Sequence, residues 1–229
     1  MADLVNATAQ RRAFTGLRAE ALAANLGRVR ERIAAAGGDP GAVEICAAVK
    51  YVAAGELPAL AEAGIELVGE NRAQDLLAKR AEHAGLFVWD FIGALQSRKV
   101  ADIAGVVRLI HSVASDSALR RLEQHPAPEI LIEVNVAGEE GKAGIAPEEI
   151  GEFVARAPVP VTGLMTMPPA VVRPEDNRRH FARLAELAGE HGLARLSMGT
   201  TQDFEVAVAE GATIVRLGSV LYEGASDPS

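Results

Sequence analysis

A lysine stands at the end of an otherwise apolar run, Ile45-Cys46-Ala47-Ala48-Val49-Lys50. If this run is a strand, Cys46, Ala48 and Lys50 share one face. The small side chains beside the lysine would leave room for a flat ring. Partial removal from water disfavours the ammonium form of a lysine, so Lys50 would be a good amine nucleophile toward an aldehyde. Taken alone, Lys50 is more simply interpreted as a solvated lysine just past a strand end.

Two segments near the C-terminus combine glycine with hydroxyl side chains, a composition typical of phosphate binding. The first is Leu196-Ser197-Met198-Gly199-Thr200-Thr201 and the second is Leu217-Gly218-Ser219. Glycine lets a ligand approach the backbone closely, and hydroxyl groups donate hydrogen bonds. The first segment could also be a helix cap, since Thr201 is a good capping residue. Both segments lie at the C-terminal ends of predicted strands, which favours a phosphate site. Its candidate residues are Ser197, Gly199, Gly218 and Ser219.

Arg216 stands two positions before Gly218, so the two residues share a face of the predicted last strand. If Gly218 faces a ligand, Arg216 points into the interior of the fold, where an unpaired charge would be costly. The guanidinium could pair with a carboxylate such as Glu133 or Glu70, or it could hydrogen-bond a ligand nitrogen. In the second case an always-protonated arginine would keep a pyridine nitrogen unprotonated and weaken the ring as an electron sink.

Other polar or sulfur-containing side chains give weaker indications. Asn71 follows a predicted strand, where a helix cap is the simpler interpretation, and Met165 could be core filling. The five histidines are dispersed without metal-like spacing, and no Ser/His/Asp spacing indicates a hydrolase triad. We therefore predict no metal site and interpret the histidines as surface or structural residues.

These candidates are separated by a repeating order of strand and helix. A first helix is predicted between Phe14 and Ala36, because apolar residues recur along one side and Gly37-Gly38 follows. The predicted strands are Val43–Lys50, Ile65–Glu70, Phe87–Gly93, Arg108–Ser112, Ile130–Val136, Val159–Thr166, Arg195–Gly199 and Thr213–Ser219. The predicted helices between them are Glu56–Ala63, Ala73–Ala84, Ser97–Ala104, Ser117–Gln124, Pro147–Ala157, Pro174–His191 and Asp203–Glu210.

Eight strands alternating with helices predict a parallel α/β architecture. No Gly-x-Gly-x-x-Gly turn follows the first strand, which argues against an open dinucleotide-binding sheet. The count of eight favours a single closed (β/α)₈ TIM-type barrel with an extra N-terminal helix. Reactive groups in that fold gather at the C-terminal ends of the strands. We expect one domain over residues 1–229, with residues 1–12 and 224–229 flexible.

Composition narrows the class of protein. The net charge of −8 argues against nucleic acid or anionic lipid as a partner of the whole chain. Cys46 is the only cysteine, which excludes an intrachain disulfide. The N-terminal residues lack an apolar secretory core, and no apolar run reaches the roughly 18 residues that span a bilayer. We predict a cytoplasmic protein without membrane association.

Taken together, these features resemble the pyridoxal phosphate homeostasis proteins, single-domain relatives of the N-terminal barrel of alanine racemase. The matching stretches occur in the family's order and cover essentially every strand. They are Ala47-Ala48-Val49-Lys50, Gly69-Glu70-Asn71-Arg72-Ala73-Gln74-Asp75, Phe91-Ile92-Gly93-Ala94-Leu95-Gln96-Ser97-Arg98-Lys99, Leu131-Ile132-Glu133-Val134-Asn135-Val136, Gly163-Leu164-Met165-Thr166-Met167-Pro168, Leu196-Ser197-Met198-Gly199 and Val215-Arg216-Leu217-Gly218-Ser219.

The resemblance implies that the chain binds pyridoxal 5′-phosphate (PLP) as an aldimine with Lys50. Members of the family are understood to store or deliver the cofactor, with effects on amino-acid and keto-acid balance and without established turnover. No catalytic residue is therefore assigned. The other cofactor positions that the resemblance implies are Ser197, Gly218 and Ser219 at the phosphate, Arg216 at the pyridine nitrogen, and Asn71 and Met165 near the ring.

The chain departs from the family pattern in two places. Family members commonly carry serine before the reactive lysine and a Thr-Lys pair after it, whereas here Val49 precedes Lys50 and Tyr51-Val52 follow. This leaves the aldimine in place but puts a role for a second nearby lysine in doubt. The family's Ser-x-Gly-Met-Ser run is here Ser197-Met198-Gly199-Thr200-Thr201, which keeps hydroxyl donors.

An amino-acid racemase that uses the same aldimine is the main alternative. Racemisation needs an acid/base group on each face of the substrate. In alanine racemases the opposing tyrosine comes from an additional β-domain of the partner subunit, which we do not expect here, and neither Tyr51 nor Tyr222 is well placed by sequence. A barrel enzyme for another phosphorylated metabolite is a third reading. We predict a monomeric PLP carrier whose partners are apo forms of PLP-dependent enzymes.

Overall fold

The computed structural model describes residues 13–226, and they form a closed barrel of eight parallel strands. Each strand pairs with the next one along the sequence, and the last strand returns to pair with the first. A helix follows each strand, and one further helix precedes the first strand. The predicted (β/α)₈ barrel with an extra N-terminal helix is therefore confirmed. Residues 1–12, which were predicted flexible, lie outside the described part of the chain.

The strands β1 to β8 are Glu44–Ala48, Leu67–Glu70, Val88–Phe91, Leu109–Val113, Glu129–Glu133, Val161–Met165, Arg195–Thr200 and Ile214–Leu217. The helices α1 to α9 are Ala19–Ala35, Leu57–Glu62, Ala73–His83, Val100–Ile103, Asp116–Gln124, Ile150–Arg156, Arg178–Glu190, Phe204–Ala209 and Ser219–Tyr222. Short 3₁₀ turns lead into four of these helices and cover Ala54–Glu56, Ser97–Lys99, Pro147–Glu149 and Pro174–Asn177.

The strands are mostly shorter than predicted. β1 ends at Ala48, and the chain then turns, with the Val52 N–H donating to the carbonyl of Val49. Lys50 therefore lies just beyond the strand rather than on it. The one-turn helix α9 was not predicted, because four residues are too few to show a helical period.

Residues 224–226, which the sequence predicts to be flexible, are in contact with the segment that precedes α1. Ser226 forms an antiparallel bridge with Leu17, and the Arg18 N–H donates to the carbonyl of Ala225 at 2.9 Å. Ala225 is fully buried. The prediction relied on the small and polar composition of this segment, which gives no sign of a partner far away in the sequence. Residues 227–229 lie outside the described part.

Most of the apolar core lies between the barrel and its helices. α1 buries Leu22, Leu26, Val29 and Ile33 and lies against α2, α8 and α9. A second, smaller apolar cluster joins residues from five strands; its members are Cys46, Leu109, Leu131, Met165 and Ile214. No helix in the described part of the chain is long and apolar enough to cross a membrane.

Gly163 shows how closely the strands approach each other. It lies in β6, and a Cβ atom added to it would stand 2.0 Å from the carbonyl oxygen of Arg195 in β7. The atom in the way belongs to the backbone of a paired strand, so it cannot move aside as the end of a flexible side chain could. The absence of a side chain at position 163 is therefore a condition for the pairing of β6 with β7.

We expect Gly163→Ala to lower the free energy of unfolding by about 1–3 kcal/mol, the usual cost of overpacking. Gly27→Ala is the matched control, because Gly27 lies within α1 and a Cβ there would meet nothing within 4 Å. Alanine is the better helix former by about 1 kcal/mol, so the control should gain stability. Urea denaturation followed by circular dichroism measures both; equal effects would contradict the packing argument.

Candidate functional site

A cavity of about 540 Å³ opens where the strands end, a size typical of small-molecule sites. Its walls come from the C-terminal ends of the strands and the segments that follow them, the usual position of sites in this fold. Six of the eight predicted site residues line it: Lys50, Asn71, Met165, Arg216, Gly218 and Ser219. The other two, Ser197 and Gly199, do not.

Lys50 lies at the exposed mouth of this cavity. Its Nζ is 5.0 Å from the centre of the Tyr51 ring, within the range of a cation–π contact. The sequence argument expected a partly desolvated lysine, but β1 ends two residues earlier and leaves the side chain open to water. Among the four lysines of the sequence, Lys50 is the one that lines the cavity.

A buried ion pair holds the backbone on which Lys50 and Asn71 stand. Lys79 of α3 donates from Nζ to Glu70 Oε2 and to the carbonyl of Val49, both at 2.6 Å. The other carboxylate oxygen of Glu70 accepts the Asn71 N–H at 2.7 Å. Glu70 is fully buried and Lys79 nearly so. One cation thus ties together the ends of β1 and β2.

Asn71 is further positioned by Gly93, which follows β3. A Cβ on Gly93 would come within 1.9 Å of the Asn71 carbonyl oxygen, so the two segments touch through their backbones. The Asn71 Oδ1 atom is buried and has no hydrogen-bond partner among the described residues. An unsatisfied polar atom beside a cavity is available to a ligand at low cost.

Arg216 lies in the floor of the cavity with its guanidinium held on two sides. Nη1 donates to the Ser197 carbonyl at 2.7 Å and to Ser197 Oγ at 2.5 Å. Nη2 donates to the Thr166 carbonyl and to Met167 Sδ, both at 2.9 Å. Neither carboxylate suggested by the sequence pairs with it, because Glu70 is bound to Lys79. None of the described bonds uses Nε.

The loops after β7 and β8 meet at one end of the cavity. Thr200, Thr201 and Gly218 line it, and the Gly218 N–H donates to Thr201 Oγ1 at 3.2 Å. Asp203 fixes the first loop by accepting hydrogen bonds from the N–H and hydroxyl of Thr200, at 2.8 and 3.0 Å. The Thr201 and Ser219 hydroxyls and the adjacent backbone N–H groups can receive an anion.

Comparison with known proteins places this barrel in a family. The model of the alanine racemase N-terminal domain matches residues 17–226. The pyridoxal phosphate homeostasis protein of Aquifex aeolicus is 42% identical over 217 residues, which cover 86% of this chain and 95% of that protein. Its counterpart in Pseudomonas aeruginosa is 40% identical over 221 residues, with 91% and 96% covered. The chain belongs to the pyridoxal phosphate homeostasis protein family.

Solved structures agree with this assignment. PipY of Synechococcus elongatus, solved with PLP bound, is 29% identical and superposes with a TM-score of 0.75. The superposition covers 88% of this chain and 99% of PipY. PipY solved without PLP gives a TM-score of 0.77. The resemblance proposed from the sequence is therefore confirmed at the level of family and fold.

Ser197, which the resemblance placed at the phosphate, does not line the cavity. It is fully buried, and its Oγ lies 2.8 Å from His111 Nδ1 as well as against Arg216. Ser197 lies three positions before the end of β7, and its hydroxyl is engaged inside the barrel by His111 and Arg216. Thr201, further along the same segment, does line the cavity.

Gly199 also has a packing role. Its φ is +89°, a conformation that favours glycine, and a Cβ there would lie 2.6 Å from Ala207 Cβ of α8. The glycine lets α8 pack directly against the end of β7. It shapes the loop that carries Thr200 and Thr201 without lining the cavity itself.

His111 and Asp90 complete an Asp–His–Ser arrangement that sequence spacing did not reveal. His111 Nε2 lies 3.1 Å from Asp90 Oδ2, and all three side chains come from different strands. This arrangement differs from a hydrolase triad, because Ser197 is inaccessible and already hydrogen-bonded to Arg216. The sequence did contain one indication of this arrangement, because His111 is a polar residue at an inward position of the largely apolar strand β4.

Glu133 is a further cavity residue that the sequence argument named only as a partner for Arg216. It lines the cavity, is 7% exposed, and lies opposite Met165 in the β5–β6 ladder. Burial raises the pKa of Glu133, and the positive charge of Arg216 opposes that rise. No described hydrogen bond uses the carboxylate of Glu133, so this group is available to form a hydrogen bond with a ligand.

Both tyrosines line the cavity, which the sequence did not predict. Tyr222 is 1% exposed and packs against Phe14, with ring centres 5.1 Å apart. Burial raises the pKa of Tyr222 above its usual value. A phenol that resists deprotonation is a poor general base.

We expect Lys79→Met to lower the free energy of unfolding by about 3–5 kcal/mol, because it leaves the Glu70 carboxylate buried without its cation. The double variant Glu70→Gln/Lys79→Met should recover much of this loss, since a glutamine oxygen can still accept the Asn71 N–H. Chemical denaturation of the three proteins measures the effect.

Lys99→Met serves as the control for this prediction. Lys99 pairs with Asp102 at 3.0 Å on the surface, and exposed pairs contribute little. A double variant as unstable as Lys79→Met would show that the buried carboxylate is not the source of the loss.

Proposed function

We propose that this protein binds PLP covalently through Lys50 and stores or delivers the cofactor without strong turnover of its own. The observation that carries the proposal is the convergence of Lys50, Arg216 and the Thr201–Ser219 loops on one cavity. In the covalent step, Nζ attacks the aldehyde carbon, a C=N bond replaces C=O, and the oxygen leaves as water. No oxidant or reductant is needed.

The space beside Gly218 suits a flat ring. A Cβ built on Gly218 would have the Cβ of Ala48, at 4.0 Å, as its nearest neighbour. Both residues line the cavity, so the volume that a side chain would fill belongs to the ligand site. Small residues at positions 48 and 218 thus support the reading of the sequence, in which the wall below Lys50 accommodates a pyridine ring.

The polar groups around this space match the two ends of the cofactor. Arg216 offers its Nε–H on one side, and a guanidinium facing the ring nitrogen would keep that nitrogen unprotonated. On the other side we assign the phosphate to Thr201, Gly218 and Ser219. Asn71 and Met165 would flank the ring. PLP itself supplies the aldehyde and the conjugated ring.

The relatives support the same proposal. Those at 42% and 40% identity are named pyridoxal phosphate homeostasis proteins, and PipY was solved with PLP. None of these names describes an enzyme. The cytoplasmic location, the monomeric state and the apo-enzyme partners remain predictions from the sequence.

A racemase is less well supported, although two tyrosines reach the cavity. The raised pKa of Tyr222 works against its serving as the base opposite Lys50. Tyr51 follows Lys50 directly in the chain and lies beneath its ammonium group, so both arise from the same wall. An opposing base must stand on the other face of the substrate.

We expect Lys50→Ala to abolish the visible absorption of the PLP complex while the circular dichroism spectrum of the fold is unchanged. The reason is that Lys50 is exposed and makes no structural hydrogen bond among those described. Borohydride reduction followed by peptide mass mapping should label Lys50. A label on Lys99 or Lys142 instead would contradict the assignment.

The same two proteins separate carrier from racemase. Incubation with L-alanine in deuterium oxide, followed by NMR and chiral chromatography, should give at most slow exchange of the α-proton. Rapid formation of D-alanine that disappears in Lys50→Ala would establish an enzyme.

The phosphate assignment predicts a difference between two ligands. Thr201→Val combined with Ser219→Ala should weaken PLP binding at least tenfold and leave pyridoxal binding nearly unchanged, since only PLP carries the phosphate. A hydrogen bond to a charged group contributes about 1.5–3 kcal/mol, and about 1.4 kcal/mol corresponds to a factor of ten. Absorbance titrations measure both affinities.

Ser197→Ala is the matched control for this experiment. Ser197 contacts Arg216 but not the cavity, so its loss should weaken PLP and pyridoxal by the same factor. Equal weakening of the two ligands by the Thr201/Ser219 variant would show that these hydroxyls do not meet the phosphate.

A further inference from the structure

A continuous chain of polar side chains crosses the interior of the barrel. We call it the axial chain; its members are Glu44, Arg108, Asp90, His111, Ser197 and Arg216. It begins at the N-terminal ends of the strands, where Glu44 is partly exposed, and it ends at the cavity. Polar groups in a barrel interior are costly unless every one is satisfied, so the chain calls for an explanation.

The lower half of the axial chain is ionic. Arg108 donates from Nη1 to Glu44 Oε1 at 2.5 Å, and from Nε and Nη2 to the two oxygens of Asp90 at 3.0 and 2.7 Å. Burial alone would raise the pKa of Asp90, but the bonds with His111 and Arg108 outweigh it and lower that pKa. Asp90 is therefore a buried anion with a fixed orientation.

The upper half of the chain passes from His111 through Ser197 to Arg216. His111 lies on β4 and Ser197 on β7, strands that are not neighbours, so the 2.8 Å contact between them crosses the barrel interior. Ser197 Oγ then lies 2.5 Å from Arg216 Nη1. All three side chains are at most 5% exposed.

The Asp90 carboxylate fixes the direction of these hydrogen bonds. A carboxylate only accepts, so His111 must carry its proton on Nε2. Burial lowers the pKa of His111, with Asp90 opposing, which favours the neutral ring with a lone pair on Nδ1. The Ser197 hydroxyl therefore donates to Nδ1, which turns an oxygen lone pair toward Arg216. Each link has one donor and one acceptor.

As a result, the Arg216 guanidinium has one N–H group without a partner among the described bonds. Both terminal nitrogens of Arg216 are engaged, by Ser197 on one side and by Thr166 and Met167 on the other. Nε–H is the donor left for the cavity. Without the oriented Ser197 hydroxyl, one of the four terminal bonds is lost and the guanidinium is held less firmly.

We propose that His111 is a positioning residue that, through Ser197, aims the Arg216 Nε–H at the ring nitrogen of bound PLP. The inference rests on the proposed PLP-binding function and deepens it. His111 touches no ligand itself. Its effect on binding is confined to ligands that carry a ring nitrogen.

Two variants at position 111 test the two hydrogen bonds of the histidine separately, because each variant keeps one bond and removes the other. An asparagine amide can occupy the place of Nδ1 and accept from Ser197, while a glutamine amide can occupy the place of Nε2 and donate to Asp90. Each variant is titrated with PLP and with its 1-deaza analogue, in which C–H replaces the ring nitrogen. Both ligands keep the aldehyde and the phosphate.

We expect the wild type to prefer PLP over the deaza analogue about tenfold, equivalent to about 1.4 kcal/mol. His111→Asn should keep this preference, whereas His111→Gln should bind both ligands about equally. A purely structural role would make the two variants alike in preference. That outcome, or a wild type without preference, overturns the inference.

Ser197→Ala keeps the inference testable if either variant at position 111 fails to fold. It removes the hydroxyl between His111 and Arg216 with little change in volume, and it should abolish the preference for PLP. An unchanged preference in folded Ser197→Ala overturns the inference. Failure of the proposed function is a different result: wild-type protein would then bind neither aldehyde at Lys50.

Discussion

The pairing of β1 with β8 is the interaction on which the site depends. It sets Cys46 opposite Arg216 and closes the barrel. As a consequence, Lys50 and Gly218 leave adjacent strands at the same end, although they lie far apart in the sequence. The ladder itself therefore brings the amine of Lys50 to the same cavity as the glycine and hydroxyl groups that follow β8.

The sequence predicted the barrel and the place of Lys50 at its mouth because both depend on local patterns. Eight apolar runs with intervening helices specify the fold, and Lys50 ends the first of these runs, so it reaches the cavity although β1 itself stops at Ala48. The role of Ser197 could not be predicted, since its partners His111 and Arg216 lie on other strands. Two segments that come together only when the barrel closes leave no periodic pattern of apolar residues in the sequence. The contacts of residues 224–226 with Leu17 and Arg18 were not predicted for the same reason.

The local charge of the cavity differs from the net charge of the chain. The net charge is −8, yet the cavity holds a lysine and an arginine beside one glutamate whose pKa is raised. The buried carboxylates Glu70 and Asp90 are neutralised by Lys79 and Arg108. An anionic ligand therefore meets a locally positive site inside an acidic protein, and strong binding of other polyanions is not implied.

The contact between the first helix and the segment that follows the last strand has a consequence for folding. Asn25 of α1 donates hydrogen bonds to the carbonyls of Leu221 and Glu223, at 2.7 and 3.1 Å, and so helps to hold the helix that begins at Ser219. Such long-range contacts form late, because the entropy of closing the loop must be met first. During synthesis the cofactor can find its complete site only after the last strand has emerged and docked. Binding then selects chains that have finished folding, and mass action makes the cofactor a stabiliser of that state alone.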